Sequence, residues 1–199
     1  MDIPALLKSI ESTGIATRIR ESSYIFPFIE STHVFGLAMV FGTIAIIDLR
    51  LLGIASTQRS FKHMASDLLK WTWAAFALTA ATGALMFTTN AVVYYHNFFF
   101  RTKMLMLVLA GINMLAFELT AGRTIHHWDK SSSAPLAGRT TAFLSLLIWT
   151  SIIFLGREIG FTTSRAAVLA PPPADLNFDN LFDNIPTGND SPGAAPNKK

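Results

Sequence analysis

Apolar residues along this chain gather into four long blocks, and the charges collect between them. The first block spans 25–51, IFPFIESTHVFGLAMVFGTIAIIDLRL, with Pro27 in its opening turn, where proline is tolerated. Residues 71–100 hold no Asp, Glu, Lys or Arg and place a second helix at about 66–90. A third block covers 101–124, with Glu118 as its one acid, and a fourth covers 139–157, uncharged between Arg139 and Arg157. Each meets the length of about 20 mostly apolar residues that a membrane-crossing helix needs. Small residues recur at close spacing within them: Gly36, Ala38 and Gly42, then Ala80, Gly83 and Ala84, then Ala110 and Gly111. Such positions let membrane helices approach each other closely. The pattern predicts an all-α protein built on a transmembrane four-helix bundle over 24–165.

The ends read differently. In 1–23, Ile3, Leu6, Leu7 and Ile10 fall at helical spacing, with Lys8, Glu11, Arg18 and Arg20 between and after them. That predicts an amphipathic surface helix, interrupted near Gly14, or else a soluble cap on the bundle. It lacks the basic start, apolar core and small-residue cleavage site of a secretory signal. The stretch 166–199 is rich in Pro, Asn, Asp and Gly and predicts an extended or disordered tail. Inside it Leu176, Phe178, Leu181, Phe182 and Ile185 form an acidic-hydrophobic run suited to docking on a protein partner.

Composition narrows the class. The chain has 199 residues, 51% hydrophobic and only 15% charged, a charge deficit that fits the lipid bilayer as its surroundings. Cysteine is absent, which removes disulfides, thiolate metal sites and a cysteine nucleophile. The net charge of +3 is spread out, with no basic block carrying interleaved aromatics, so nucleic acid is excluded as a partner. No paired carboxylates, Ser-His-Asp order, phosphate-binding glycine loop or HExxH pattern occurs. An even number of spans puts both termini on one face. Arg50, Arg59, Lys62, Lys70, Arg123, Lys130 and Arg139 on the opposite face outnumber the basic residues beside the termini. By the positive-inside rule, the termini are then expected to be periplasmic.

Candidate chemistry rests on histidine. His33 lies inside the first span, and an ionisable residue at membrane depth is a functional candidate because its burial is costly. His96 follows the second helix on the same side. His63, His126 and His127 lie on the other side. Imidazoles from facing helices are how bundles hold haem iron, so one haem b is expected at His33 and His96 as metal ligands. A second is permitted at His63 with His126 or His127. For every histidine except His33, the interfacial, solvated reading is favoured. Arg157 falls at the level of His33 and could clamp a haem propionate or pair with Glu30. Asn113, with Thr120 and His127, shares a face turned into the bundle. Glu118 has Arg50, Arg123 and Arg139 as candidate donors. Interhelical pairing that fixes the packing is the more ordinary reading of these polar groups. Met104, Met106 and Met114 invite copper, but their apolar surroundings make them simpler core or lipid contacts.

Three strings carry a resemblance: IESTHVFGLAMVFGTIAIIDLRLLG at 29–53, NFFFRTK at 97–103 and LSLLIWTSIIFLGREIGF at 144–161. Together they resemble a poorly characterised bacterial family of four-helix inner-membrane proteins, loosely similar to the CopD copper-resistance membrane proteins. The resemblance covers about 23–161. It implies a multi-pass protein of the bacterial inner membrane, with His33, Asp48, Arg50, Asn113 and Arg157 at the matching polar positions, and it raises haem or copper binding. The methionine- and histidine-rich extramembrane segments of a copper handler are missing. The expected function is a haem-b-binding subunit passing electrons to or from the quinone pool or respiratory chain. The alternatives are a cofactor-free structural or anchoring subunit and a copper transport protein.

Overall fold

The structure is a computed structural model that describes residues 2–55, 60–129 and 134–169, of which 164–169 are described as backbone only. The expected tail from 170 on, with its docking run, lies outside the described residues. Among the described residues the fold is entirely helical. Two short helices, α1 (Ile3–Glu11) and α2 (Gly14–Glu21), precede the long α3 (Ile25–Leu51) and α4 (Phe61–Thr89). A short α5 (Ala91–His96) leads into α6 (Phe98–Leu119). A 3-10 turn (Gly122–Thr124) and α7 (Ile125–Trp128) then connect to α8 (Leu136–Leu169).

Among the described residues three stretches are long and apolar enough to cross a membrane: Ile25–Leu51, Phe98–Trp128 and Leu136–Thr163. Their outward faces are apolar, with Val34, Phe35, Leu105, Val108, Ile112, Leu115, Phe143, Leu147 and Phe154 all exposed. Only 6% of the apolar window in Phe98–Trp128 is buried, against 28% for each of the other two. In water that much contiguous apolar surface would drive association.

Boundaries differ from the sequence expectation where a cap overrides the apolar pattern. Helix α4 begins at Phe61 rather than near 66 because Ser60 accepts from the His63 amide and Asp129 holds the same end. The Asp129 carboxylate accepts from the Lys62 amide at 2.7 Å and from the Ser60 hydroxyl at 2.7 Å. A carboxylate there satisfies orphan amides and complements the helix dipole. Asn97 starts α6 at Phe98, three residues before 101, by accepting from the amides of Phe99 (2.9 Å) and Phe100 (3.2 Å). Helix α8 outruns the expected 139–157 at both ends: it starts directly after Pro135 and continues through Gly156 and Gly160.

The N-terminal helices break where Thr13 caps α2 by accepting from the Ala16 amide. They bury Leu7, Ala16 and Ile19 and hold the corner where α4 meets α5. Arg20 donates to the Thr89 carbonyl (3.0 Å), one of the last of α4, and Glu11 accepts from the Val92 amide (2.9 Å) at the start of α5. Both pairings place a charge where a helix end leaves backbone groups unmet.

Helices α3 and α4 pack closely along their length, and they run antiparallel. Gly36 faces Thr79 and Ala75, His33 faces Gly83, and the hydroxyls of Thr43 and Thr72 bond across at 2.8 Å. Two core clusters join this pair to the later helices. One gathers Leu51, Phe61, Ala121, Trp128, Ala134 and Ala142 at the end where α3 stops and α4 starts. The other gathers Val40, Ala75, Trp149 and Ile152, with Leu37, Met106 and Leu107 against them, and so draws on α3, α4, α6 and α8.

Candidate functional site

Residues three or four apart share a helix face. The position one turn outward from each member of the second core therefore defines the next layer of the packing. On α3, moving from Val40 and Leu37 leads to His33. On α4, moving from Ala75 leads to Thr79, then Thr82 and Gly83. On α6, Met106 and Leu107 lead back to Lys103, and on α8 Ile152 leads to Gly156. This layer holds two ionisable side chains and two glycines where the layer beneath is apolar.

The contacts bear the layering out. The Nδ1 of His33 lies 2.9 Å from the Thr79 carbonyl and 3.1 Å from the Thr82 hydroxyl. A carbonyl oxygen only accepts, so Nδ1 carries the hydrogen and Nε2 of the neutral ring keeps a bare lone pair. Thr82 donates its own hydrogen to the α4 backbone, 2.8 Å from the Leu78 carbonyl, leaving its oxygen free to accept from His33. The ring lies against Gly83: a Cβ there would stand 3.0 Å from His33 Cε1. The amine of Lys103 packs on α8, with Nζ 3.5 Å from where a Cβ of Gly156 would stand. Lys103 is also close enough for its charge to act on the His33 ring.

The other candidates are placed elsewhere. His96 is exposed on α5, its Nδ1 2.9 Å from the Val92 carbonyl and its ring edge-on to Tyr95; no described contact joins it to His33. Arg157 is exposed and stacks on Phe161 of its own helix, 5.0 Å from the ring centre. The charge of Glu30 acts on Tyr94, whose hydroxyl is held above its ordinary range first by burial and then by that carboxylate. Tyr94 sits in an aromatic cluster with Phe87 and Phe100. His63 is exposed and 3.8 Å from Asp67. His126 and His127 are exposed on α7, and no described contact joins them to His63. Asn113 bridges α6 to α8 by donating to the Thr141 carbonyl at 3.0 Å. Among the described residues no group of three or more His, Asp or Glu is set to hold a metal ion.

Asp48 and Arg50, at the far end of α3, are buried, with Arg50 fully so, and Ser145 of α8 faces Asp48. In the sequence Lys103 reads as no more than a basic residue near a helix end. Its spacing of three and four from Met106 and Leu107 was the available signal that it points inward.

A family model matches residues 17–162, from within α2 to the last described side chains of α8. The chain belongs to DUF6644, a family of unknown function. Every residue of the polar layer falls inside the DUF6644 match. No curated protein and no solved structure matches this chain.

Proposed function

We propose that this DUF6644 protein is a four-span protein of the bacterial inner membrane that holds haem b at the His33 layer and transfers electrons to or from the quinone pool or respiratory chain. In this reading α4 is the fourth span of the bundle, both termini face the periplasm, and α1 and α2 lie over the bundle end. The polar content of α4 is compatible with crossing. The hydroxyls of Thr72, Thr79 and Thr82 each bond back to the carbonyl four residues earlier, so the helix presents few unmet groups to lipid.

The observation that carries the cofactor is the state of His33. A ligating histidine is ordinarily oriented by a hydrogen bond from its other ring nitrogen to a carbonyl, which sets the tautomer and raises ligand basicity. The Thr79 carbonyl stands at 2.9 Å from Nδ1 in that role. His33 would hold the haem iron through Nε2. Haem would contribute one-electron chemistry, while the chain positions it and excludes water.

A second reading is favoured by the same contacts: with Thr79 and Thr82 both bonded to it, His33 also serves as a clamp between α3 and α4 in a cofactor-free anchoring subunit. A reduced-minus-oxidised visible spectrum of protein purified from haem-sufficient cells separates the two. The cofactor reading expects haem absorption that His33→Ala removes from protein still inserted in the membrane. Absence of absorption from the unmutated protein would leave only the anchor.

A further inference from the structure

We infer that Asp48 is a proton-binding site inside the protein: a carboxylic acid held neutral, which takes its proton from water and returns it there. The site is separate from the His33 layer and needs no haem. Asp48 occupies a second polar step in the packing. On α3 it lies four residues after Ile44, which packs on one apolar core, and three before Leu51, which belongs to the other. Ser145 stands at the matching place on α8, three residues after Ala142 and four before Trp149. The two side chains face each other, with Asp48 5% exposed and Ser145 9%.

The surroundings disfavour a negative charge on Asp48. Its Oδ2 has no hydrogen-bond partner among the described residues, so nothing there replaces the water that a carboxylate loses on burial. The residue also sits in the last turn of α3, its carbonyl accepting from the Leu52 amide at 2.9 Å, where the helix dipole is negative. Arg50 is two positions along the same helix, a spacing that turns it to another face, and no described ion pair joins it to Asp48. Of the other charged groups at this end, Asp67 and Lys70 on α4, Arg123 and Arg139 are exposed, and Glu118 on α6 lies against Gly122. Ionisation would strand a buried charge, whereas the neutral acid leaves only an O–H dipole. When the proton departs, the Ser145 hydroxyl can donate to the anion. Acids at membrane depth mark proton relays, and Asp48 lies within one turn of the helix end, so its route to water is short.

The test is infrared spectroscopy of the full chain in lipid nanodiscs at neutral pH, as unmutated protein and as Asp48→Asn. The expected result is a carbonyl band of a protonated carboxylic acid in the unmutated protein. It should shift to lower frequency when water is replaced by D2O, and it should be lost in Asp48→Asn. No such band, or a band that persists in Asp48→Asn, overturns the inference. A band that stays unshifted after prolonged incubation in D2O overturns the exchange of the proton with water, and the inference with it. Should Asp48→Asn fail to accumulate, unmutated protein carrying carboxyl-13C aspartate takes its place. The band should then move with the label, and a band indifferent to the label overturns the inference equally. None of these readings depends on haem content, so failure here leaves the His33 reading standing, and the reverse holds.

Discussion

Replacing Gly36 by alanine tests the contact on which both the fold and the site depend. A Cβ at Gly36 would stand 2.5 Å from the Thr79 hydroxyl oxygen, inside any real Cβ contact, while its next neighbours, the Ala75 carbonyl at 3.5 Å and Thr79 Cβ at 3.6 Å, are at ordinary distance. The clash is therefore with one atom. Thr79 can escape by rotating, but its hydroxyl then gives up the 2.8 Å bond to the Ala75 carbonyl, a loss of about 0.5–1.5 kcal/mol. Otherwise α3 and α4 part, at an overpacking cost of about 1–3 kcal/mol. Alanine in a helix interior returns about 1 kcal/mol relative to glycine. The net expectation is a loss of up to about 2 kcal/mol. Because the Thr79 carbonyl also holds His33, the same change should loosen haem binding if the proposed function holds. Unfolding in mixed micelles of increasing denaturing detergent, followed by helicity, gives the stability. In a Thr79→Ala background the single offending atom is gone, so Gly36→Ala should become neutral or stabilising by up to about 1 kcal/mol. The two changes should thus couple by about 0.5–3 kcal/mol. Strict additivity of the two substitutions would refute the close approach of α3 and α4 at this point.

Two further outcomes are expected. Asp129→Ala removes the acceptor for the Ser60 hydroxyl and Lys62 amide, and the loss of this charged cap should cost about 1–2 kcal/mol, read as a lower melting temperature; an unchanged melt would refute the cap. Reporter domains fused separately to the two ends should be active on the same membrane face, the periplasmic one, if α4 crosses. Reporters active on opposite faces would mean that α4 does not span.

The helices were legible because their signal is one-dimensional. A run of apolar residues long enough to cross hydrocarbon declares itself in any window, and α3, α6 and α8 were read from that alone. Their ends were less legible, since Asn97, Ser60 and Asp129 start helices through side-chain bonds that hydropathy does not register. Histidine was picked out as a residue type, and that was enough to find His33. It was not enough to choose its neighbours. His96 was nominated for being on the same side of the chain's path, whereas the layer around His33 is made of Thr79, Thr82, Gly83, Lys103 and Gly156.

An all-helical chain with apolar helices of membrane-crossing length, no thiol chemistry and His33 well inside one of those helices could be read from the residues alone. Those properties follow from composition and from periodicity within single helices. What faces that histidine depends on how the helices pack. In hydrocarbon a helix meets the same apolar medium in lipid as in its neighbours, so which faces meet is set by small residues and interhelical hydrogen bonds rather than by hydrophobicity. The determinants are single atoms: a carbonyl at Thr79, the missing side chains of Gly36, Gly83 and Gly156, and an amine on Lys103. Their register becomes visible only once α3, α4, α6 and α8 are packed together.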